Sequence, residues 1–91
     1  MAENSKQVLI VNKRGLHARA SAKFVAAAAA MDGSTVTVVK DGNEAAGGSI
    51  LGLMMLGAAK GDTVTVSVAG ENAGARLAEL VTLVETGFGE D

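Results

Sequence analysis

The stretch DTVTVSVAG, Asp62 to Gly70, alternates without a break: Val64, Val66 and Val68 fall on one side, Thr63, Thr65 and Ser67 on the other. A period of two marks a strand with one buried and one wet face. Sheets built from such strands are commonly antiparallel and carry their cover on one side only. The segments on either side of this strand have to supply that cover.

Working back from it, SILGLMML places Ser49 as an N-cap before a two-turn helix, Ile50 to Leu56, closed by Gly57. Upstream, STVTVVK predicts a strand from Thr35 to Lys40 with Val36 and Val38 on one face. Asp41-Gly42 is a strong two-residue hairpin signal, so a short strand from Asn43 to Ala46 pairs back. ARASAKFVAAAAAM predicts a helix from Ala18 to Met31, because alanine is the best helix former. Ala20, Phe24, Ala27, Ala28 and Met31 share its inner face, and Gly33 is placed to close it in a left-handed cap, a role Asp32 could share. The alanine run itself reads as small-side-chain packing. QVLIVN, Gln7 to Asn12, predicts the first strand.

Beyond Gly70, the stripe Leu77, Leu80, Val81, Val84 predicts a last helix ended by Gly87, and the polar tail Gly89-Glu90-Asp91 is expected to fray. The order β-α-β-β-α-β-α makes an α+β layer fold with one wet sheet face. A ferredoxin-like core with an extra terminal helix is the competing topology. The second helix is too short to span a sheet by itself, which argues against it.

Ninety-one residues make one domain, 1–91. Two phenylalanines are the only aromatics, so stacking platforms for single-stranded nucleic acid are missing. A net charge of -2 makes a phosphate backbone an unsuitable partner. There is no cysteine, and one histidine is a poor start for a zinc site. MAENSKQ lacks the apolar segment of a signal peptide, and no apolar run is long enough for a bilayer. The expectation is a soluble, cytoplasmic domain with no metal, no cofactor, and neither nucleic acid nor membrane as partner.

KRGLHARAS, Lys13 to Ser21, holds that single histidine together with Lys13, Arg14 and Arg19. Gly15 permits a tight turn and Leu16 can anchor it. His17 then falls at the helix start, where the amides of Ala18, Arg19 and Ala20 lack intrahelical acceptors. With the positive end of the helix dipole they make an anion cradle. Arg19 adds a guanidinium that can fork onto phosphate oxygens. This setting disfavours imidazolium and leaves a neutral, nucleophilic ring. A nucleophile inside an anion cradle is what a covalent phosphoryl acceptor needs. The loop does not fit a nucleotide-binding P-loop, and no separate base or nucleophile is present. Reversible group transfer with the other groups on a partner is the chemistry left.

GLHARASAKFV and GGSILGLMMLGAAKGDTVTV resemble the two signature regions of the HPr family, the histidine-containing phosphocarriers of the phosphoenolpyruvate-dependent phosphotransferase system. The likeness runs from about Val8 to Val84. It implies an open-faced β-sandwich, a four-stranded antiparallel sheet with three helices on one face. It implies a monomeric carrier, not an enzyme in itself, serving transport or regulation. His17 would take a phosphoryl group from enzyme I on Nδ1 and pass it to a histidine of an enzyme IIA-type protein. Arg19 would assist, with the Ala18 and Arg19 amides cradling the phosphate. Ser49 falls where the family has a regulatory serine, which HPr kinase/phosphorylase phosphorylates in some bacteria. The family usually has proline where this chain has Ala20, inside the first helix turn, so the helix entry is fixed less rigidly. The apolar SILGLMML looks more like branches tied to nitrogen or regulatory control than like the sugar-uptake carrier.

The second helix carries more apolar residues than one core face can take. Ile50, Leu51 and Met54 are expected outward as a docking patch, Leu53 and Leu56 inward, with the helix start near the His17 loop. Ser49 reads equally well as a plain N-cap. Lys13, Arg14, Lys60 and Arg76 read as surface charges. GGSILGLM faintly resembles the serine attachment site of acyl carrier proteins, but those are helical bundles and the valine strands speak against one. A regulatory binding domain on the same fold, without phosphotransfer, is the remaining alternative; His17 and Arg19 weigh against it.

Overall fold

The computed structural model describes residues 3–90. In chain order these form β1 (Glu3–Leu9), α1 (Ala18–Ala29), β2 (Ser34–Lys40), β3 (Asn43–Ala46), α2 (Ile50–Met55), β4 (Thr63–Gly70) and α3 (Ala73–Glu85), then a 3₁₀ turn, Gly87–Gly89. The strands make one antiparallel sheet in the order β1-β4-β2-β3. β4 lies in the interior between β1 and β2, and its three valines, on the face its alternation marks as buried, are at most 2% exposed. Cross-strand partners Val8–Val64, Val36–Val68 and Val38–Val66 continue the apolar face across the sheet. The helices cover that face alone, an open-faced α+β sandwich. β1 is an edge strand, whereas a ferredoxin-like core would hold it in the interior. No helix among the described residues is long and apolar enough to cross a membrane.

Several boundaries differ from the sequence expectation. β1 begins at Glu3 and ends at Leu9, not at Gln7 and Asn12. Its polar first half pairs with β4 from Glu3–Ala69 onward, which an edge strand permits because its solvent face needs no apolar residues. Ile10 still bonds to Asp62 and Gly61, after which the chain leaves the sheet. α1 ends at Ala29, two residues short of Met31, and Ala30 closes it in a right-handed conformation. Gly33, at φ +80°, instead turns the chain into β2; a Cβ there would lie 2.2 Å from a Glu71 carboxylate oxygen. Ala20, Phe24 and Met31 are buried as expected, Ala27 and Ala28 partly. Asp41 and Gly42 both take positive φ, the geometry of the tight hairpin turn.

Arg76 is not a free surface charge. Its Nη1 donates to the Asp32 carbonyl, to Ser34 Oγ at 2.7 Å and to the Glu71 carbonyl at 3.3 Å, tying α3 to the α1–β2 turn. The polar tail departs further from expectation. Phe88 is 1% exposed in the core, and Glu90 Oε2 lies 2.8 Å from His17 Nε2, contacts that a frayed tail would lack. Asp91 lies outside the described residues.

Candidate functional site

The loop before α1 is locked at both ends. The Asn12 side chain donates to the Gly15 carbonyl at 2.8 Å, and the Gly15 amide donates to the Asn12 carbonyl at 3.1 Å. Gly15 adopts φ +61°, and a Cβ there would stand 2.2 Å from the Ala58 carbonyl oxygen. Only glycine allows that approach, which lets the Leu16 amide donate to Ala58 at 3.0 Å while the Leu16 side chain is buried. Ser21 Oγ donates to the Leu16 carbonyl at 3.2 Å from the buried face of α1.

His17 is thereby fixed as the N-cap of α1, with extended backbone at φ -73° and ψ 179°. Its Nδ1 accepts from the Arg19 amide at 3.3 Å. The imidazole therefore does what Ser or Asp does at most helix starts. Among the described residues no acceptor lies within bonding distance of the Ala18 and Ala20 amides, so part of the expected anion cradle is free. At Ala20 the same orphan amide explains why a proline fits there: nothing is lost with its N–H.

The other ring nitrogen has a partner that sequence reasoning missed. Glu90 Oε2 lies 2.8 Å from His17 Nε2, and Oε1 lies 3.1 Å from it. Since Nδ1 accepts a backbone N–H, the neutral ring carries its proton on Nε2 and donates it to the carboxylate. The lone pair on Nδ1 is the nucleophilic one. Asn12 Nδ2 donates to Glu90 Oε1 at 3.1 Å, and Arg19 Nε stands 3.7 Å from Oε2. The hydrogen bond from His17, backed by Asn12 and the nearby charges, holds the Glu90 carboxyl below its ordinary value. His17 and Glu90 side chains are 19% and 17% exposed, so the pair is shielded but reachable. The ring's setting is thus not purely cationic, as its sequence neighbours alone suggested. The signal for Glu90 was Phe88, one of only two aromatics, lodged between glycines near the chain end.

Lys13, Arg14, Arg19, Lys23, Gly89 and Glu90 line a shallow cavity of about 370 Å³ beside this pair. Half of the chain's eight basic side chains meet there, so Lys13 and Arg14 are more than scattered loop charges. Arg19 is 64% exposed, with its Nε side turned to Glu90.

Ser49 caps α2: its Oγ accepts from the Gly52 amide at 2.9 Å. Ile50, Leu51 and Met54 are exposed, and Met55, at 77%, is more exposed than any of them. Leu53 is fully buried and Leu56 partly so. The helix runs opposite to the expected direction relative to the site. Its C-terminal side leads to Ala58, against which the His17 loop is bonded, while Gly48 shares a cavity wall with Ala28 and Ala29 at the far end of α1. Met54 and Met55 are on the turn that leads to the loop; Ser49 is at the distant end.

Comparison with known proteins agrees with this construction. Residues 4–86 match the family model described as the PTS HPr component phosphorylation site. The chain is 39% identical to the phosphocarrier protein NPr of Shewanella violacea, over 99% of this chain and 98% of that protein. It is 41% identical to the phosphocarrier protein HPr of Neisseria meningitidis, over 93% and 94%. The crystal structure of HPr-C-His from Thermoanaerobacter tengcongensis superposes with a TM-score of 0.90 at 38% identity, covering 97% of this chain and 98% of that one. Relatives therefore include both NPr and HPr proteins, and the chain belongs to the HPr family of phosphocarrier components of the phosphotransferase system.

Proposed function

We propose that this chain carries a phosphoryl group on His17 Nδ1, taken from phospho-enzyme I and passed to a histidine of an enzyme IIA-type protein. The observation that carries this reading is the split role of the ring: Nε2 is held by Glu90, and Nδ1 points its lone pair at the helix N-terminus. In the transfer Nδ1 forms the new bond to phosphorus, and the bond to the donor nitrogen breaks with its electron pair returning to the donor. The Arg19 amide then exchanges Nδ1 for a phosphoryl oxygen. Free first-turn amides, the helix dipole and the exposed Arg19 guanidinium stabilise the charge that arrives. Catalytic groups for the chemistry come from the partners; the chain is a stoichiometric carrier.

Docking is assigned to the exposed apolar face of α2, centred on Leu51 and Met54 with Met55 added. Ser49 serves as a helix cap and, where HPr kinase/phosphorylase is present, as a regulatory phosphorylation site beside that face. A phosphate there would place charge against a surface that must be desolvated. The test is incubation of the pure protein with enzyme I and phosphoenolpyruvate. An acid-labile mass gain of one phosphoryl group, absent from His17→Ala, is expected. Binding of enzyme I without any mass gain would favour a regulatory binding domain on the same fold.

A further inference from the structure

Asn12 is 2% exposed and spends both amide protons, one on the Gly15 carbonyl at 2.8 Å and one on Glu90 Oε1 at 3.1 Å. Its own Oδ1 is buried without a partner among the described residues. An unpaired buried carbonyl costs about 1–3 kcal/mol, so the two donor bonds have to justify the placement. One of them shapes the loop. The other holds the carboxylate that receives His17 Nε2–H at 2.8 Å. Glu90 arrives there because Phe88 is buried and Lys23 Nζ donates to the Phe88 carbonyl at 2.8 Å. The chain Asn12–Glu90–His17 therefore joins three separate segments at one ring nitrogen, and it sits opposite the nitrogen that takes the phosphoryl group.

We propose that Asn12 and Glu90 are a positioning pair that keeps the ring proton on Nε2 and thereby sets how readily the phosphoryl group leaves His17. The proposal rests on His17 Nδ1 being the acceptor. When Nδ1 bonds to phosphorus, a ring that retains Nε2–H becomes cationic, and the Glu90 carboxylate is the group that pairs with it. On onward transfer the Nδ1–P bond breaks and its electron pair returns to Nδ1. The ring then leaves as neutral imidazole. Without the Nε2 proton it would have to leave as imidazolate, a far poorer leaving group. Arg19, 3.7 Å from Oε2, and Lys13, Arg14 and Lys23 around the cavity oppose a cationic ring, and among the described residues Glu90 is the only carboxylate lining that cavity. Neither Asn12 nor Glu90 needs to touch the phosphoryl group.

The test uses Glu90→Ala and Asn12→Asp, the second an isostere that replaces the donor to Glu90 by a repelling carboxylate. Nitrogen-15 shifts of the His17 ring report which nitrogen carries the proton, without any phosphorylation. The parent is expected to be largely protonated on Nε2, and both variants to be tautomer mixtures. Phosphorylation with potassium phosphoramidate then needs no partner protein, and the lifetime of the phosphohistidine is followed at pH 8. Both variants should hold the phosphoryl group several-fold longer, and Glu90→Asp should restore part of the parental rate. An unchanged tautomer in both variants, or an unchanged lifetime, would overturn the pairing role. Failure of His17 itself to accept phosphate would sink the carrier reading, while the tautomer comparison would still decide whether Asn12 and Glu90 position the ring.

Discussion

Lys23 Nζ donates to the carbonyl of Phe88 at 2.8 Å, so a cation on α1 clamps the turn that carries Glu90. Phe88 has φ +59° and is flanked by Gly87 and Gly89, both also at positive φ. A non-glycine residue in that region is strained by roughly 1–2 kcal/mol. Burial of the phenyl ring offsets it, at about 1.5–3 kcal/mol. Phe88→Ala should therefore destabilise the fold by about 3–5 kcal/mol in urea denaturation. In the folded fraction it should also release Glu90, seen as a changed His17 ring spectrum. A loss below 1 kcal/mol would mean the tail is not anchored by this side chain.

Gly15→Ala should be the most damaging single methyl group near the site. The added Cβ would meet the Ala58 carbonyl at 2.2 Å in a backbone conformation alanine resists. The loop must then leave Ala58, breaking the Leu16 amide bond as well. A destabilisation of about 2–4 kcal/mol is expected, with slower phosphorylation of the folded protein. Wild-type rate and stability together would show the loop adapts without strain.

Ser49 separates its two roles by substitution. Ser49→Ala removes the acceptor for the Gly52 amide and should cost about 0.5–2 kcal/mol of stability. Aspartate caps as well as serine does, so Ser49→Asp should keep the stability while weakening enzyme I binding. Equal enzyme I affinity for both variants, measured by calorimetric titration, would leave Ser49 as a cap alone.

The central sheet and the His17 loop could be read from the sequence because their signals are local. Val64, Val66 and Val68 declare a face by spacing, and Gly15-Leu16-His17 declares a turn into a helix by residue type. What escaped depends on contacts between distant segments. Glu90 meets His17 across 73 positions, and the one local cue is Phe88 two residues earlier, which marks a buried anchor but not the partner that Glu90 reaches. Arg76 reaches Asp32 and Ser34 across the α1–β2 turn in the same way. The polar half of β1 was missed because an edge strand is recruited by its partner's backbone, here β4, and not by its own hydrophobicity. The direction of α2 relative to the loop likewise has no local signal.

Stability should carry the imprint of Glu90 on the acid side. Its carboxyl is held below the ordinary value of 4.5, chiefly by the hydrogen bond from His17. A depressed native value means the contribution is present in full above the unfolded value and fades as pH falls through the native one. The stability difference between the parent and Glu90→Gln should thus be present in full above the unfolded value and shrink steadily as pH falls below it. Thermal unfolding of both proteins from pH 7 to pH 3 reads this directly. A gap that stays constant down to pH 3 would show that ionised Glu90 contributes nothing.

The apolar face of α2 separates folding from docking. Leu51 and Met55 are 68% and 77% exposed, so truncating either to alanine should change stability by no more than about 0.5 kcal/mol. Leu53 is fully buried, and Leu53→Ala should cost about 2–5 kcal/mol. If the face is buried against enzyme I, Leu51→Ala and Met55→Ala should each weaken binding by about 1–2 kcal/mol, roughly five- to thirty-fold. Met55 lies on the turn nearer the His17 loop, so its loss should hurt at least as much as that of Ile50, at the far end. Calorimetric titration of the three variants with enzyme I ranks them. Unchanged affinity for both Leu51→Ala and Met55→Ala would move docking off this helix, most directly to the cationic rim formed by Lys13, Arg14, Arg19 and Lys23.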